Sequence, residues 1–259
     1  MRDQGQRRIF LAVVMLMLLA TVLSACAAPA GTGAPAAAAP VPTKSPEQAK
    51  TLSILYWQAP TILNPHQASG TKDFDAASVI LEPLARINEK DEYVPYLAAE
   101  LPTVENGGVA ADGTSVTWKL KPGVKWSDGS DFTATTVADN IAYVADPKNK
   151  SPYLGTFLPV GATAKADDAA GTVTITLAQP APFVLNGLAS LPMVCESGMK
   201  DRASLADSTA GTGPYELTEA TPGDQYTYQV RDGYTWGPDG ATTAEKGMPD
   251  TVVVKVIQN

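Results

Sequence analysis

The sequence predicts a mixed α/β fold, and three stretches carry that prediction. Residues 116–121 alternate apolar and polar side chains, the period-two pattern of a half-buried strand. After turns at Pro122-Gly123 and Asp128-Gly129, Thr133 can cap a helix with apolar residues at helical spacing. Those apolar positions are Ala134, Val137, Ala138, Ile141 and Val144. The run 251–257 predicts a further, buried strand, so the chain combines strands with helices.

The remaining elements follow from local patterns in chain order. Strands are predicted at 52–57, at 172–177 after the Asp167-Asp168 turn, and at 226–230. A helix is predicted from about Asp73, with Phe74, Ala77, Leu81 and Leu84 on one stripe and Pro83 kinking or ending it. Residues 104–113 predict a Gly/Asp-rich hairpin, and residues 182–191 a short helix.

Residues 1–25 have the pattern of a lipoprotein signal peptide. Three arginines precede the apolar run Ile9–Leu23, which is shorter than the roughly 20 residues of a membrane-spanning helix. The run ends in Leu23-Ser24-Ala25-Cys26, a lipobox that predicts cleavage before Cys26 and lipidation of its thiol. An ordinary signal cleaved elsewhere is the alternative. The Ala/Pro-rich stretch 26–50 predicts an extended tether, because it has no apolar residues large enough for a core.

Charge and cysteine content exclude several classes of function. The net charge of −8 argues against nucleic acid as a partner and against broad electrostatic contact with anionic lipid. The predicted lipid anchor is then the contact with the membrane. Apart from Cys26, the chain has one cysteine, Cys195, which lies in an apolar run and predicts a small buried residue.

No residue pattern singles out a catalytic or metal centre. The one histidine, His66, has no Gly-x-Ser-x-Gly elbow to serve, and we expect it to pack within a loop. One histidine without a cysteine pair disfavours zinc, and the glycines near 211 lack the Lys-Ser/Thr of a phosphate loop. We therefore expect no catalysis and no cofactor. Trp118 and Trp126 are interpreted as core residues, with a sugar or peptide cleft as the alternative.

Three motifs carry a resemblance to a known family. The first combines Leu120, Pro122-Gly123-Val124-Lys125-Trp126, Asp128-Gly129, Thr133-Ala134 and Val137. The second is Gly211-Thr212-Gly213-Pro214-Tyr215-Glu216-Leu217, interpreted by itself as a structural turn. The third is Arg231-Asp232-Gly233-Tyr234-Thr235-Trp236, with Asp-Gly where the family has Asn-Pro. Together they resemble extracellular solute-binding protein family 5, the peptide and nickel binding proteins of ABC transporters.

The resemblance implies a fold and a function. The fold is that of class II periplasmic binding proteins, with residues 51–259 forming the first lobe and its inserted small subdomain. Family members are longer, so the second lobe is expected to be missing from this sequence. The implied function is non-enzymatic: capture of a peptide or similar small solute outside the cell membrane, and delivery to ABC transporter permease subunits. A lipid-anchored hydrolase and a structural surface lipoprotein are the alternatives.

The resemblance also implies where the first lobe contacts its ligand. The backbone of Ser69, Gly70 and Thr71 would pair with an extended peptide, as one strand adds to another. In the family, an acidic residue usually stands at the place of Ser69 and can bind the amino group of the peptide. Because this chain has serine there, the resemblance does not imply recognition of a free peptide N-terminus and leaves other solutes open. Tyr153, in the family's Asp-Pro-x-x-x-Ser-Pro-Tyr pattern, would reach into the cleft, with a surface-loop tyrosine as the alternative.

Overall fold

The fold is seen in a computed structural model that describes residues 50–181, 183–200, 210–221, 223–243 and 248–257. The predicted signal peptide, the lipidation site Cys26 and all of the predicted tether except Lys50 lie outside these residues. Within the described part of the chain, no helix is both long enough and apolar enough to cross a membrane.

The described residues form both strands and helices, as the sequence predicts. The strands are β1 (Thr51–Tyr56), β2 (Ala85–Ile87), β3 (Tyr93–Pro95), β4 (Ser115–Lys119), β5 (Thr163–Asp167), β6 (Thr172–Thr176), β7 (Tyr215–Thr221), β8 (Gln225–Val230) and β9 (Thr251–Val256). The helices are α1 (Thr71–Ala77), α2 (Ala134–Ala145), α3 (Val184–Ala189) and α4 (Glu196–Lys200), with short 3₁₀ turns at Pro147–Asn149 and Pro238–Gly240.

A four-stranded mixed sheet joins the first and last described strands. Its order is β1-β9-β8-β7, with β1 parallel to β9 and the other pairs antiparallel. The strand β9 is paired on both edges, and its alternate residues Val252, Val254 and Val256 are buried on one face of the sheet. The strands predicted at 52–57, 226–230 and 251–257 are thus confirmed, with ends that differ by one residue.

The second sheet, β4-β6-β5, is antiparallel and packs against α2. Trp118 of β4 lies opposite Val173 of β6, and both are fully buried, which confirms the alternating pattern of residues 116–121. The Thr133 side chain accepts a hydrogen bond from the Thr136 N–H and so caps α2 as predicted. The predicted stripe of α2 faces the core, together with one polar residue, Asn140.

The helix predicted from Asp73 to Pro83 is wrong in its extent, because α1 ends at Ala77. A longer helix would need the Leu84 N–H to bond the Ile80 carbonyl, which instead accepts from the Gly213 N–H at 2.9 Å. Pro83 would also clash with the preceding turn of such a helix. Leu81 and Leu84 are nevertheless buried, so their apolar spacing reflects burial in an irregular segment.

Several short elements have no clear signal in the sequence. The strand β5 reads Thr-Ala-Lys-Ala-Asp and has only alanine on its partly buried face. The strand β7 is an edge strand with mostly polar residues. The strands β2 and β3 have three residues each, too few for a period-two pattern. The helix predicted at 182–191 is confirmed as the shorter α3.

The first two sequence motifs meet where Ser127, within the first, contacts Gly211 of the second. The Ser127 N–H donates to the Gly211 carbonyl at 2.9 Å, and the Gly211 N–H donates to Ser127 Oγ at 3.2 Å. A Cβ at Gly211 would lie 2.0 Å from the Ile80 carbonyl oxygen, so only glycine fits this approach. The buried Arg231 guanidinium then donates to the carbonyls of Gly211 and Gly213. The interpretation of the glycine motif as a structural turn is confirmed.

Candidate ligand-binding site

Two neighbouring cavities share a wall formed by Phe74, Tyr153 and Ser190. Their volumes are about 240 Å³ and about 350 Å³. Phe74 comes from α1, Tyr153 from the loop after the first 3₁₀ turn, and Ser190 from the C-terminal cap of α3. Three segments that are distant in sequence therefore converge here. We call this shared region the cleft.

Tyr153 is held in the cleft wall by aromatic neighbours. Its ring centroid lies 5.7 Å from that of His66, 6.1 Å from that of Phe74 and 5.2 Å from that of Phe157. The residue is only 7% exposed, so the alternative of a surface-loop tyrosine is wrong. Burial raises the pKa of Tyr153 to about 12, which keeps its hydroxyl protonated and able to donate or accept at neutral pH.

Ser69, Gly70 and Thr71 lead into α1 and so connect with the cleft wall. Gly70 is the N-terminal cap, in an extended conformation, and its carbonyl accepts from the N–H groups of Asp73 and Phe74. Thr71 is the first helical residue, so the extended pairing predicted for all three residues does not include Thr71. Ser69 is exposed, and ligand contact by this segment and by Tyr153 stays a prediction.

His66 supports the cleft from within the core. Its Nε2 lies 2.7 Å from Asn140 Oδ1, and the Asn140 side-chain NH₂ donates to the carbonyls of Thr136 and Val194. Because Oδ1 is then the acceptor, His66 Nε2 must carry the proton. Burial lowers the pKa of His66 to about 4, so the ring is neutral at physiological pH. These contacts match the predicted packing role.

Charge is confined to one end of the cleft. The smaller cavity is lined by Pro152 and Phe157 besides the shared wall, with no charged side chain among its described residues. The larger cavity adds Asp75 and Arg86. The Arg86 guanidinium donates to the Leu81 carbonyl at 3.0 Å and lies over the Tyr96 ring. The shared wall, with the rings of Phe74 and Tyr153 and the hydroxyl groups of Tyr153 and Ser190, suits reversible binding of a small molecule.

Metal binding has no support in the described residues. Among them, no three His, Cys, Asp or Glu side chains are grouped so that they could hold a metal ion. Cys195 is buried, as predicted, and its Sγ lies 3.2 Å from Ser197 Oγ. Trp118 and Trp126 are buried core residues and lie outside the cleft, which confirms their interpretation from the sequence.

Sequence reasoning did not identify Phe74, Phe157 and Ser190 as site residues. The sequence pattern predicts that Phe74 lies on the apolar stripe of a helix, and that pattern does not indicate that it lines a cavity. Phe157 follows Tyr153 by four residues in a loop, where no periodic pattern applies. Ser190 has no signal of its own, because its place depends on how α3 packs against the Tyr153 loop.

Comparison with known proteins places the chain in a family. The sequence model of "Bacterial extracellular solute-binding proteins, family 5 Middle" matches residues 92–259. The chain belongs to this family. The glutathione-binding protein GsiB of Escherichia coli K12 is 30% identical over 181 residues, which are 69% of this chain and 34% of GsiB. The chain therefore spans about a third of the length of the curated relatives it matches.

Solved structures agree with the fold. A substrate-binding protein from Microbacterium hydrocarbonoxydans, complexed with 4-hydroxybenzoate hydrazide, is 32% identical with a TM-score of 0.66. The match covers 81% of this chain and 43% of that protein. NikA from Brucella suis, in complex with Fe(III)-EDTA, is 27% identical with a TM-score of 0.64, over 81% of this chain and 40% of NikA. The fold is that of class II periplasmic binding proteins, as predicted.

Proposed function

We propose that this protein is the substrate-binding lipoprotein of an ABC importer. It captures a peptide or a similar small solute outside the cell membrane and delivers it to the permease. The observation that carries the proposal is the aromatic cleft at Tyr153 in a chain of the extracellular solute-binding family. The proposal concerns the whole protein, since the relatives are longer than this sequence.

The cleft has the composition of a reversible binding site. Phe74, Tyr153 and Phe157 offer aromatic area, and the hydroxyl groups of Tyr153 and Ser190 offer orientation by hydrogen bonds. We propose Tyr153 and the segment Ser69, Gly70 and Thr71 as ligand contacts. The Ser69 main chain and the first turn of α1 are the available groups there, since the Gly70 carbonyl already accepts within α1.

Closure over the ligand is the proposed mechanism. Two lobes hinge around the solute and exclude water, and the closed form docks on the permease. The chemistry is binding without a covalent step. His66 is fully buried and neutral, bonded to an asparagine, and lacks the exposed position that a general base requires. This argues against the hydrolase alternative.

Relatives differ in what they bind, which keeps the solute class broad. GsiB is named for glutathione, the Microbacterium protein was solved with 4-hydroxybenzoate hydrazide and NikA with Fe(III)-EDTA. Family membership alone therefore does not choose the solute. The proposed solute is a peptide or a molecule of similar size.

The proposed anchor is the lipidated Cys26, reached through the tether. The support is the sequence Leu23-Ser24-Ala25-Cys26 followed by the Ala/Pro-rich stretch. Each methylene of an acyl chain adds about 0.8 kcal/mol of membrane affinity, so two or three chains hold firmly. Cys26→Ser should release the protein from membranes or leave the signal uncleaved. Unchanged fractionation and unchanged processing in this variant would contradict the anchor.

A solute pull-down tests the function itself. The protein is purified from cells that express its own locus, and the solutes released on denaturation are identified by mass spectrometry. Enrichment of a peptide or another small solute, with loss of its uptake when the gene is deleted, supports the proposal. A structural surface lipoprotein would show neither enrichment nor a defect in uptake.

A further inference from the structure

A third cavity adjoins the cleft through the shared side chain of Phe157. Its volume is about 210 Å³. It is lined by Gly155, Thr156, Phe157, Pro159, Ala181, Phe183 and Val184. Phe157 therefore separates the cavity on the Tyr153 side from one on the Phe183 side. None of the described lining residues is charged.

Two phenylalanine rings at this cavity are accessible to solvent. Phe183 is 81% exposed and Phe157 is 41% exposed. A single exposed apolar residue needs no explanation, but two aromatic rings lining one concave site expose area that a ligand can cover. A buried cavity of about 150 Å³ is enough to hold a benzene molecule, so the volume here suits an aromatic group.

The position of Phe157 is fixed by its main chain. The N–H groups of Phe157 and Leu158 both donate to the Tyr153 carbonyl at 2.9 Å, and the Gly155 N–H donates to the Leu158 carbonyl. On the other side, Gly187 of α3 allows a close approach. A Cβ at Gly187 would lie 2.1 Å from the Phe157 carbonyl oxygen. The main chain of Phe157 is therefore fixed before a solute binds, and its ring lies 5.2 Å from that of Tyr153, which lowers the entropic cost of forming this wall.

We propose that this third cavity is a specificity subsite that takes an uncharged, apolar or aromatic side group of the solute. The inference rests on the proposed function and deepens it by naming the chemical class of the group that is recognised. Phe157 and Phe183 are the residues that determine the preference. The charged residues Asp75 and Arg86 line the larger cavity of the cleft and not this third cavity, so they do not face this group.

The test measures preference among matched probes by ligand-observed NMR titration of the purified full chain. The probes are the tripeptides Ala-Phe-Ala, Ala-Ala-Ala and Ala-Glu-Ala. A fourth probe, phenylacetamide, carries the aromatic ring without a peptide chain. We expect the phenylalanine peptide to bind about tenfold more tightly than the alanine peptide, which corresponds to partial burial of one ring. The glutamate peptide should gain nothing over the alanine peptide.

Variants assign the preference to the two rings. Phe183→Ser, at a highly exposed position, and Phe157→Ser should each reduce the preference to about threefold or less, since each removes one wall of the cavity. Val160→Ser is the matched control, because Val160 is 72% exposed on the same loop but does not line the cavity. This control should keep the full preference.

The possible outcomes separate the subsite from the proposed function. Equal affinity for the three peptides, or a preference unchanged in both phenylalanine variants, overturns the subsite and leaves the proposed function standing. Failure of both Ala-Phe-Ala and phenylacetamide to bind the folded chain also overturns the subsite. The proposed function is judged separately, by the solutes that copurify with the protein.

Discussion

Two buried polar centres hold distant segments of this chain together, and they do so by opposite means. We call them the imidazole centre, formed by His66 and Asn140, and the carboxylate centre, formed by Glu82, Tyr234 and Trp236. The imidazole centre uses neutral hydrogen bonds, in which Asn140 joins His66 to Val194. In the carboxylate centre, the Tyr234 hydroxyl at 2.6 Å and the Trp236 N–H at 3.3 Å both donate hydrogen bonds to the carboxyl group of Glu82.

Burial opposes charge at both centres, with opposite consequences for pH dependence. It lowers the pKa of His66 to about 4 and favours the neutral ring. It also raises the pKa of Glu82, although donation by Tyr234 and Trp236 and the nearby Arg86 oppose that change. Acid therefore disfavours the imidazole centre, whereas rising pH disfavours the carboxylate centre. As the pH rises, the carboxylate centre loses stability, whereas the imidazole centre beside the cleft keeps it.

The largest effect is expected from Asn140→Ala. This substitution removes the partner of His66 Nε2 and of both main-chain groups of Val194, and leaves them buried. Each unsatisfied buried group costs about 1–3 kcal/mol, so we expect a loss of about 4 kcal/mol in the free energy of unfolding. Chemical denaturation of variant and wild type measures this loss.

Asp139→Ala is the matched control for Asn140→Ala. Asp139 is the preceding residue on α2 and is exposed. Its substitution should change the free energy of unfolding by no more than about 0.5 kcal/mol. A loss at Asn140 no larger than that of this control would mean that the imidazole centre does not hold the cleft together.

The second effect is acid destabilisation through His66. The unfolded chain takes up a proton near the ordinary pKa of 6.5, whereas the folded ring does so only at about 4. The neutral ring therefore contributes fully above pH 6.5, and that contribution falls by about 3 kcal/mol as the pH drops to about 4. Denaturation midpoints of wild type and His66→Gln across this interval measure the effect. Parallel curves for the two proteins would contradict it.

The sequence predicts the supports of the cleft better than the cleft itself. The helix α2 was predicted with its cap and its apolar face, because these follow from neighbouring residues. Asn140 on the same face was not, since its role depends on Val194, which is 54 residues away. Tyr153 was identified by resemblance, but its burial depends on rings from three segments, including Phe74. Contacts between distant segments leave no periodic pattern in the sequence.

The third effect concerns the carboxylate centre and is expected to be smaller. Tyr234→Phe keeps the ring but removes the hydroxyl that donates to Glu82, so we expect a loss of about 2 kcal/mol in the free energy of unfolding. Thermal or chemical denaturation measures it. Thr227→Val removes the hydroxyl of an exposed pair with Glu219 and serves as the control, with little change. Equal losses of unfolding free energy in the two variants would mean that the hydrogen bond from Tyr234 to Glu82 stabilises the fold no more than an exposed pair does.

The pH dependence of Glu82 separates the two centres most sharply. Because the folded carboxyl holds its proton more tightly than the unfolded one, its contribution is present below the ordinary pKa of 4.5 and is lost as the pH rises through the raised value. Glu82→Gln cannot ionise, so its stability relative to wild type should increase with pH. The His66→Gln variant should instead gain relative to wild type as the pH falls. Changes in the same direction would contradict the comparison.

The smallest effect is expected at Tyr153, where the cleft meets the imidazole centre. Tyr153→Ala would remove a buried ring that packs on His66, so any loss of binding would be mixed with a loss of stability. Tyr153→Phe keeps the ring and removes only the hydroxyl. If that hydroxyl bonds the solute, affinity for the copurified solute should fall by about 1 kcal/mol, close to fivefold, while the unfolding free energy changes little. Titration calorimetry measures the affinity, and Ser190→Ala is the matched removal of the other cleft hydroxyl. An affinity of Tyr153→Phe within about 0.5 kcal/mol of wild type would leave Tyr153 as a packing residue beside His66 and assign any hydrogen bond to the solute elsewhere.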